Sequence, residues 1–150
     1  MDNHFIPIPG AAGFQLSNPS ILDLTSLGAS LEIFARAGGI PVLRARSLRL
    51  TAYLETLLLA SSASKKELFT ILTPAEPSRR GAQLSLKLRD GLLDPVMREL
   101  EERSVVVDER RPSVIRVAPA PLYNNFCDCF DFVAAFEEAV AAVVGKKGGE

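Results

Sequence analysis

The sequence predicts one α/β domain, and more narrowly an α+β domain with a small, mainly antiparallel sheet and helices packed on one face. Three observations lead to this prediction. Apolar residues recur at helical spacing between residues 18 and 60, and residues 83–88 alternate between polar and apolar side chains. A second pair of short apolar segments then precedes a final helical stretch. The predicted element order is α-α-β-β-α-β-β-α.

Two helices are predicted before the first strand. Asn18-Pro19 is typical of a helix start, because Asn is a preferred N-cap and Pro suits the first helical position. The apolar stripe that follows consists of Ile21, Leu24, Leu27, Leu31 and Phe34. Gly38-Gly39 ends this helix and Pro41 begins the next. The inward residues predicted for the second helix are Leu43, Leu50, Leu54, Leu57 and Leu58.

Four short strands and two further helices complete the prediction. The strands are placed at residues 68–72, 83–88, 104–107 and 114–117, with a charged turn at residues 108–112. Asp94-Pro95 repeats the signal of a cap followed by proline, and its helix buries Val96, Met97 and Leu100. The last helix begins near Phe126, and its predicted inward face comprises Phe130, Val133, Phe136, Val140 and Val143.

The domain is expected to span residues 17–145. Residues 1–16 are rich in Gly, Pro and Ala and are predicted to be an irregular or extended connection, and residues 146–150 a disordered tail. The formal net charge of −1 does not favour nucleic-acid binding. Apolar runs are too short to span a bilayer and the first residues do not resemble a signal peptide, so we expect a cytoplasmic protein without membrane contact.

Metal chemistry is not expected from the cysteine and histidine content. Cys127 and Cys129 are separated by one residue, and His4 is the only histidine, far from both. A disulfide across one residue is strained, and two thiols with one distant imidazole do not complete a zinc site. Two reduced thiols near a helix start are the simpler interpretation. The residues also form no convergent acid/base or nucleophile set, so no catalytic residue is assigned.

The segment Ser17-Asn18-Pro19 is the first candidate site. A helix N-terminus offers free backbone N–H groups, here at Ser20 and Ile21, and the positive end of the helix dipole. This arrangement suits an anion such as phosphate, to which the Asn18 amide could donate. The alternative is that Asn18 caps its own helix.

Arg116 is the second candidate. It is the single cation in the apolar segment VIRVA at residues 114–118, and strand alternation directs it away from Ile115 and Val117. A guanidinium on a rigid strand can donate two parallel N–H bonds to a carboxylate. The alternative is an arginine that faces solvent or pairs with Asp108 or Glu109.

Several sequence blocks closely resemble the C-terminal part of kynureninases. The most specific is IRVAPAPLYN at residues 115–124; the others, in the family's order, are GFQLSNP at residues 13–19, ASLEIF at 29–34, RGAQL at 80–84 and VVVDER at 105–110. The resemblance covers nearly the whole chain. It implies the small domain of a fold type I enzyme that depends on pyridoxal 5′-phosphate and works as a homodimer.

The resemblance also implies a reaction and roles for the candidate residues. Such enzymes hydrolyse the Cβ–Cγ bond of kynurenine or 3-hydroxykynurenine, a step in tryptophan catabolism and NAD biosynthesis, and release alanine with an anthranilate. Asn18, with Ser17, is implied to touch the cofactor phosphate, and Arg116 to bind the α-carboxylate of the amino-acid substrate. Residues 1–16 then become the connection from a large domain.

One departure from the family pattern concerns the cofactor-binding lysine. In the family this lysine belongs to the large domain, and none of Lys65, Lys66, Lys87, Lys146 and Lys147 matches it. We therefore expect the chain to be a C-terminal portion that is inactive alone. Two alternatives remain: a non-catalytic ligand-binding or regulatory module, and the small domain of another class V aminotransferase-like enzyme such as a cysteine desulfurase.

Overall fold

The computed structural model describes residue 6 and residues 8–147, with side chains as far as residue 145. It contains five helices in this range: α1 Ile21–Arg36, α2 Gly39–Ala60, α3 Ser62–Lys65, α4 Leu93–Glu102 and α5 Phe126–Lys147. The four described strands are β1 Phe69–Ile71, β2 Leu84–Leu88, β3 Asp108–Arg110 and β4 Val114–Val117. Short 3-10 turns occur at Ala11–Phe14 and Pro77–Arg79. His4 and residues 148–150 lie outside the described residues.

The chain divides into two units, residues 1–39 and residues 40–150. The first unit contains the 3-10 turn and α1. The Ser20 hydroxyl accepts a hydrogen bond from the Asp23 amide and caps α1, so the helix begins two residues later than the Asn18-Pro19 signal predicted. α1 buries none of its side chains, and its apolar stripe is more than half exposed at Ile21, Leu24, Leu27 and Leu31.

The second unit is built on a four-stranded antiparallel sheet with strand order β1-β2-β4-β3. Alternation directs one face inward, where six side chains are buried: Phe69, Leu84, Leu86, Leu88, Ile115 and Val117. α2, α4 and α5 contribute their apolar faces to the same core cluster. The predicted α+β class, the antiparallel sheet and the helices on one face are confirmed.

The predicted strand at residues 104–107 is wrong. The segment begins with the C-terminal capping turn of α4. Ser104 has φ of 58°, and the Val105 amide donates to the Leu100 carbonyl at 2.9 Å. The third strand is instead Asp108–Arg110, which lay in the predicted turn. It forms an edge of the sheet, where charged side chains are tolerated because one side of the strand faces solvent.

Three helix details also differ from the predictions. α4 begins at Leu93 after the buried Leu92, and Asp94 lies in its first turn and pairs with Arg111 at 3.0 Å, so Asp94 is not the cap. In α5 the predicted inward Phe130 is 55% exposed, while Cys129 and Phe132, on the other side of that turn, are buried. α2 begins at Gly39 rather than Pro41, and its Leu57 is only partly buried, although the other four predicted leucines are buried.

Candidate functional site: an arginine cavity

Arg116 lies in β4 and faces away from the buried Ile115 and Val117, as strand alternation predicted. Its direct partners in the neighbouring strands are Ser85 of β2 and Asp108 of β3. Because hydrogen-bonded strands flank it on both sides, the backbone that carries the guanidinium has a fixed direction. The side chain retains 31% exposure.

The guanidinium of Arg116 pairs with Asp108. Nη2 of Arg116 donates to Oδ2 of Asp108, while Oδ1 of Asp108 accepts from Nη1 of Arg110 at 2.7 Å. Nε of Arg116 is buried and has no hydrogen-bond partner within the described part of the chain. An ion pair with Asp108 was one alternative to ligand binding by Arg116, and the structure contains this ion pair. It uses only part of the donor capacity of an arginine, which has five N–H groups.

Arg116 and Asp108 line an open cavity of about 710 Å³ in the second unit. Its walls come from the segment 103–108 between α4 and β3, from the end of β4 with Ala118 and Pro119, and from the first half of α5. Leu54, Val105 and Phe132 supply apolar surface. An arginine with spare donors in a partly apolar cavity is suited to hold one end of a small anion.

Three other charged side chains line the cavity: Arg103 and Asp128, which are paired with neighbours, and Asp131. Arg103 donates to Glu99 at 2.6 Å and to Glu138 at 3.4 Å, and the bond to Glu99 is the main reason why its pKa is raised. Asp128 accepts from the Asn125 amide at 2.8 Å and from the Asn124 side chain at 3.1 Å, and these bonds lower its pKa. Neither group competes with Arg116 through a direct contact.

Ser17 and Asn18 lie in the first unit, just before α1, and both are exposed. Since Ser20 caps α1, the Asn18 amide is not consumed as the cap that the alternative interpretation proposed. Neither side chain has a hydrogen-bond partner among the residues that the structure describes. Polar donors without internal partners remain available to a phosphate oxygen, and the assignment of Ser17 and Asn18 to a cofactor stays a prediction.

The two cysteines lie on different sides of the start of α5. Cys127 is exposed and Cys129 is buried, and both are free thiols. Burial is the main cause that raises the pKa of Cys129, followed by the nearby charge of Asp128. Within the described residues no three His, Cys, Asp or Glu side chains group as metal ligands. No described helix combines the length and the apolar character needed to cross a membrane.

The cavity itself is not predictable from the local sequence patterns. Residues 104–107 were predicted as a strand, which would have placed Val106 in a sheet, whereas Val106 is 93% exposed in the segment that forms one wall. Asp108 was considered only as one of two possible partners of Arg116. The run of charged residues at 108–110 close to the apolar segment 114–117 was a usable signal for an edge strand.

The fold and the cavity together define a small α+β domain in which one strand-mounted arginine lines an open cavity. Residues 43–136 match the family model described as the kynureninase C-terminal domain, and the chain belongs to that family. The match covers β1–β4, α4 and the cavity residues, so it includes the whole site around Arg116.

Fungal kynureninases are similar to the chain over nearly its whole length. Kynureninase 1 of Chaetomium globosum is 65% identical over 94% of the chain, and kynureninase 2 of Neurospora crassa is 62% identical over 93%. Kynureninase 1 of Aspergillus clavatus is 54% identical over 99%. The chain spans 29%, 30% and 31% of the lengths of these three relatives. The resemblance seen in the sequence is thereby confirmed, and it favours a kynureninase over a cysteine desulfurase.

Proposed function

We propose that this chain is the substrate-carboxylate-binding portion of a complete kynureninase. The complete protein would hydrolyse kynurenine or 3-hydroxykynurenine to alanine and anthranilate or 3-hydroxyanthranilate, in tryptophan catabolism and NAD biosynthesis. The observation that carries the proposal is Arg116, which faces a cavity of about 710 Å³ inside the matched family region. We place the complete protein in the cytoplasm as a homodimer.

Arg116 would bind the α-carboxylate of the substrate. Its Nε is enclosed by protein, so the exposed part of the guanidinium lies at its Nη nitrogens. Two Nη groups can donate in parallel to a carboxylate, and such charge-assisted bidentate bonds are about twice as strong as neutral ones. The residue would thereby orient the amino acid by its acid group and leave the rest of the substrate to other parts of the protein.

Pyridoxal phosphate is the cofactor that the family implies, and two residues of the chain fit its phosphate. Ser17 and Asn18 offer an exposed hydroxyl and an exposed amide without internal partners. When bound, the cofactor supplies an electron sink for cleavage of the Cβ–Cγ bond. The described lysines Lys65, Lys66 and Lys87 are all exposed, and none lines the Arg116 cavity.

The proposal is tested by the complete protein with the substitution Arg116→Ala. We expect kcat/KM for both kynurenines to fall by about tenfold or more, mainly through KM, because a bidentate contact to the carboxylate is lost. The matched control is Lys87→Ala. Lys87 is an exposed cation of β2 on the same sheet face, it is paired in register with Val114, and it lies outside the cavity.

Steady-state hydrolysis of both substrates, with circular dichroism to confirm folding, measures the effect. If Arg116→Ala and Lys87→Ala gave the same kcat/KM, Arg116 would not bind the substrate. A complete protein that hydrolysed neither kynurenine would contradict the proposed function itself.

A further inference from the structure

We infer that Asp108 is a positioning residue for Arg116: it holds the guanidinium in the orientation that receives a ligand carboxylate, without occupying all of its donors. This inference rests on the proposed function of Arg116. Asp108 lies in β3, the edge strand that the sequence analysis did not place, and it lines the same cavity.

The sheet register brings the two charges together. Asp108 is the direct cross-strand partner of Arg116, and Arg110 is the direct partner of Val114. Residues opposite each other on antiparallel strands project to the same face with their Cβ atoms close together, so an opposite-charge pair is favoured there. The pairing of β3 with β4 therefore fixes the carboxylate beside the guanidinium through the backbone.

The two oxygens of Asp108 serve different arginines. Oδ2 accepts from Nη2 of Arg116, and Oδ1 accepts from Nη1 of Arg110. The three side chains together carry one excess positive charge. Because Arg110 shares the carboxylate, Asp108 restrains Arg116 at a single nitrogen and does not neutralise both guanidinium groups.

Arg116 keeps donors for a ligand while it is restrained. Nη2 has two N–H groups and gives one of them to Asp108, and Nη1 has no acceptor among the described residues. Nη1 therefore stays open to a ligand carboxylate while Asp108 remains in place. This geometry indicates a support for the guanidinium rather than a carboxylate that a substrate must displace.

Glu109 provides a matched comparison on the same strand. It is the next residue after Asp108, its cross-strand partner is the inward-facing Ile115, and its carboxylate pairs with Arg111 at 3.3 Å. Its substitution removes a carboxylate and an ion pair of β3 without touching Arg116. Glu109→Gln therefore controls for a general effect on the edge strand.

The kinetic test is a double-mutant cycle in the complete protein. We expect Asp108→Asn to raise KM for kynurenine about three- to tenfold with kcat within about twofold, since binding rather than bond cleavage depends on the restrained guanidinium. In the Arg116→Ala background the same substitution should leave KM unchanged. Glu109→Gln should behave as wild type in both backgrounds.

Two kinetic outcomes would overturn the inference. An equal rise in KM with and without Arg116 would mean that Asp108 acts on the fold, and a fall in KM would mean that it competes with the substrate. If Arg116→Ala leaves kcat/KM unchanged, the proposed function of Arg116 is wrong. The single variant shows this without any substitution of Asp108, so the two failures are distinguishable.

A measurement on the 150-residue chain is independent of activity. The Nε–H group of Arg116 is shielded from solvent, so we expect an observable ¹H–¹⁵N signal for it, assigned by its loss in Arg116→Lys. Asp108→Asn should broaden or move this signal, and Glu109→Gln should not. A signal that is unchanged in Asp108→Asn would show that the carboxylate does not hold the guanidinium.

Discussion

Ser20, rather than Asn18, is the N-cap of α1. Its hydroxyl accepts from the Asp23 amide at 3.4 Å and caps α1, so Asn18 stays outside the helix with an unengaged amide. Both residue types are good N-caps, and local propensity does not choose between them. The choice follows from where the backbone turns into the helix.

The two residues should therefore respond differently to substitution. Ser20→Ala is expected to destabilise the start of α1 by about 1 kcal/mol, the usual contribution of an N-cap, and so to lower the helicity of residues 21–24. Asn18→Ala should leave this helicity unchanged, because its side chain caps nothing. Backbone chemical shifts of the 150-residue chain measure both. Loss of helicity in Asn18→Ala would restore the interpretation of Asn18 as a cap.

The strand position of Arg116 was predictable from the sequence, and its partner was not. Period-two alternation in the segment VIRV directs the arginine away from the buried side chains, whatever the rest of the chain does. Whether it met Asp108 or Glu109 depended on the register of β3. That register is set by backbone pairing between strands and leaves little trace in local composition.

At the scale of elements, α2 is the helix that was predicted most accurately in its buried face. Leu43, Leu50, Leu54 and Leu58 are all buried, because helical spacing places them on one side over four turns. β3 is the opposite case. A three-residue strand of charged residues has no hydrophobic pattern, and only the neighbouring β4 makes it a strand.

The buried face of α2 leads to a stability prediction. Leu50 is fully buried, and Leu50→Ala should lower the free energy of unfolding by about 2–5 kcal/mol through lost transfer energy and a residual cavity. Leu59→Ala is the control on the same helix, since Leu59 is 57% exposed, and it should change stability by less than about 0.5 kcal/mol. Urea unfolding measures both variants. Equal effects would mean that α2 does not pack as described.

On the scale of the whole molecule, the core belongs to one of the two units. Every residue of the hydrophobic core cluster lies between Leu50 and Val143, within residues 40–150. α1, in residues 1–39, has an apolar stripe with no buried side chain. An exposed stripe of this kind favours self-association in an isolated chain.

This distribution predicts the behaviour of two truncations. Residues 40–150 should unfold in one cooperative transition close to that of the whole chain, and should self-associate less in sedimentation experiments. A chain ending at residue 125 should lose the transition, because it lacks Phe132, Phe136 and Val140 of the core. Retained cooperativity in the second truncation, or its loss in the first, would contradict this division of the core.

The sequence by itself determined the α+β class, the helices α1, α2, α4 and α5, three of the four described strands, the outward direction of Arg116 and the family resemblance, because each depends on local periodicity or on contiguous motifs. The tertiary structure decided the edge strand β3, the inward residues near the start of α5 and the cavity that Arg116 lines with Asp108. These features depend on which segments meet across the sheet and the core. Such pairings are fixed by the summed burial of distant apolar side chains and by backbone hydrogen bonding between strands.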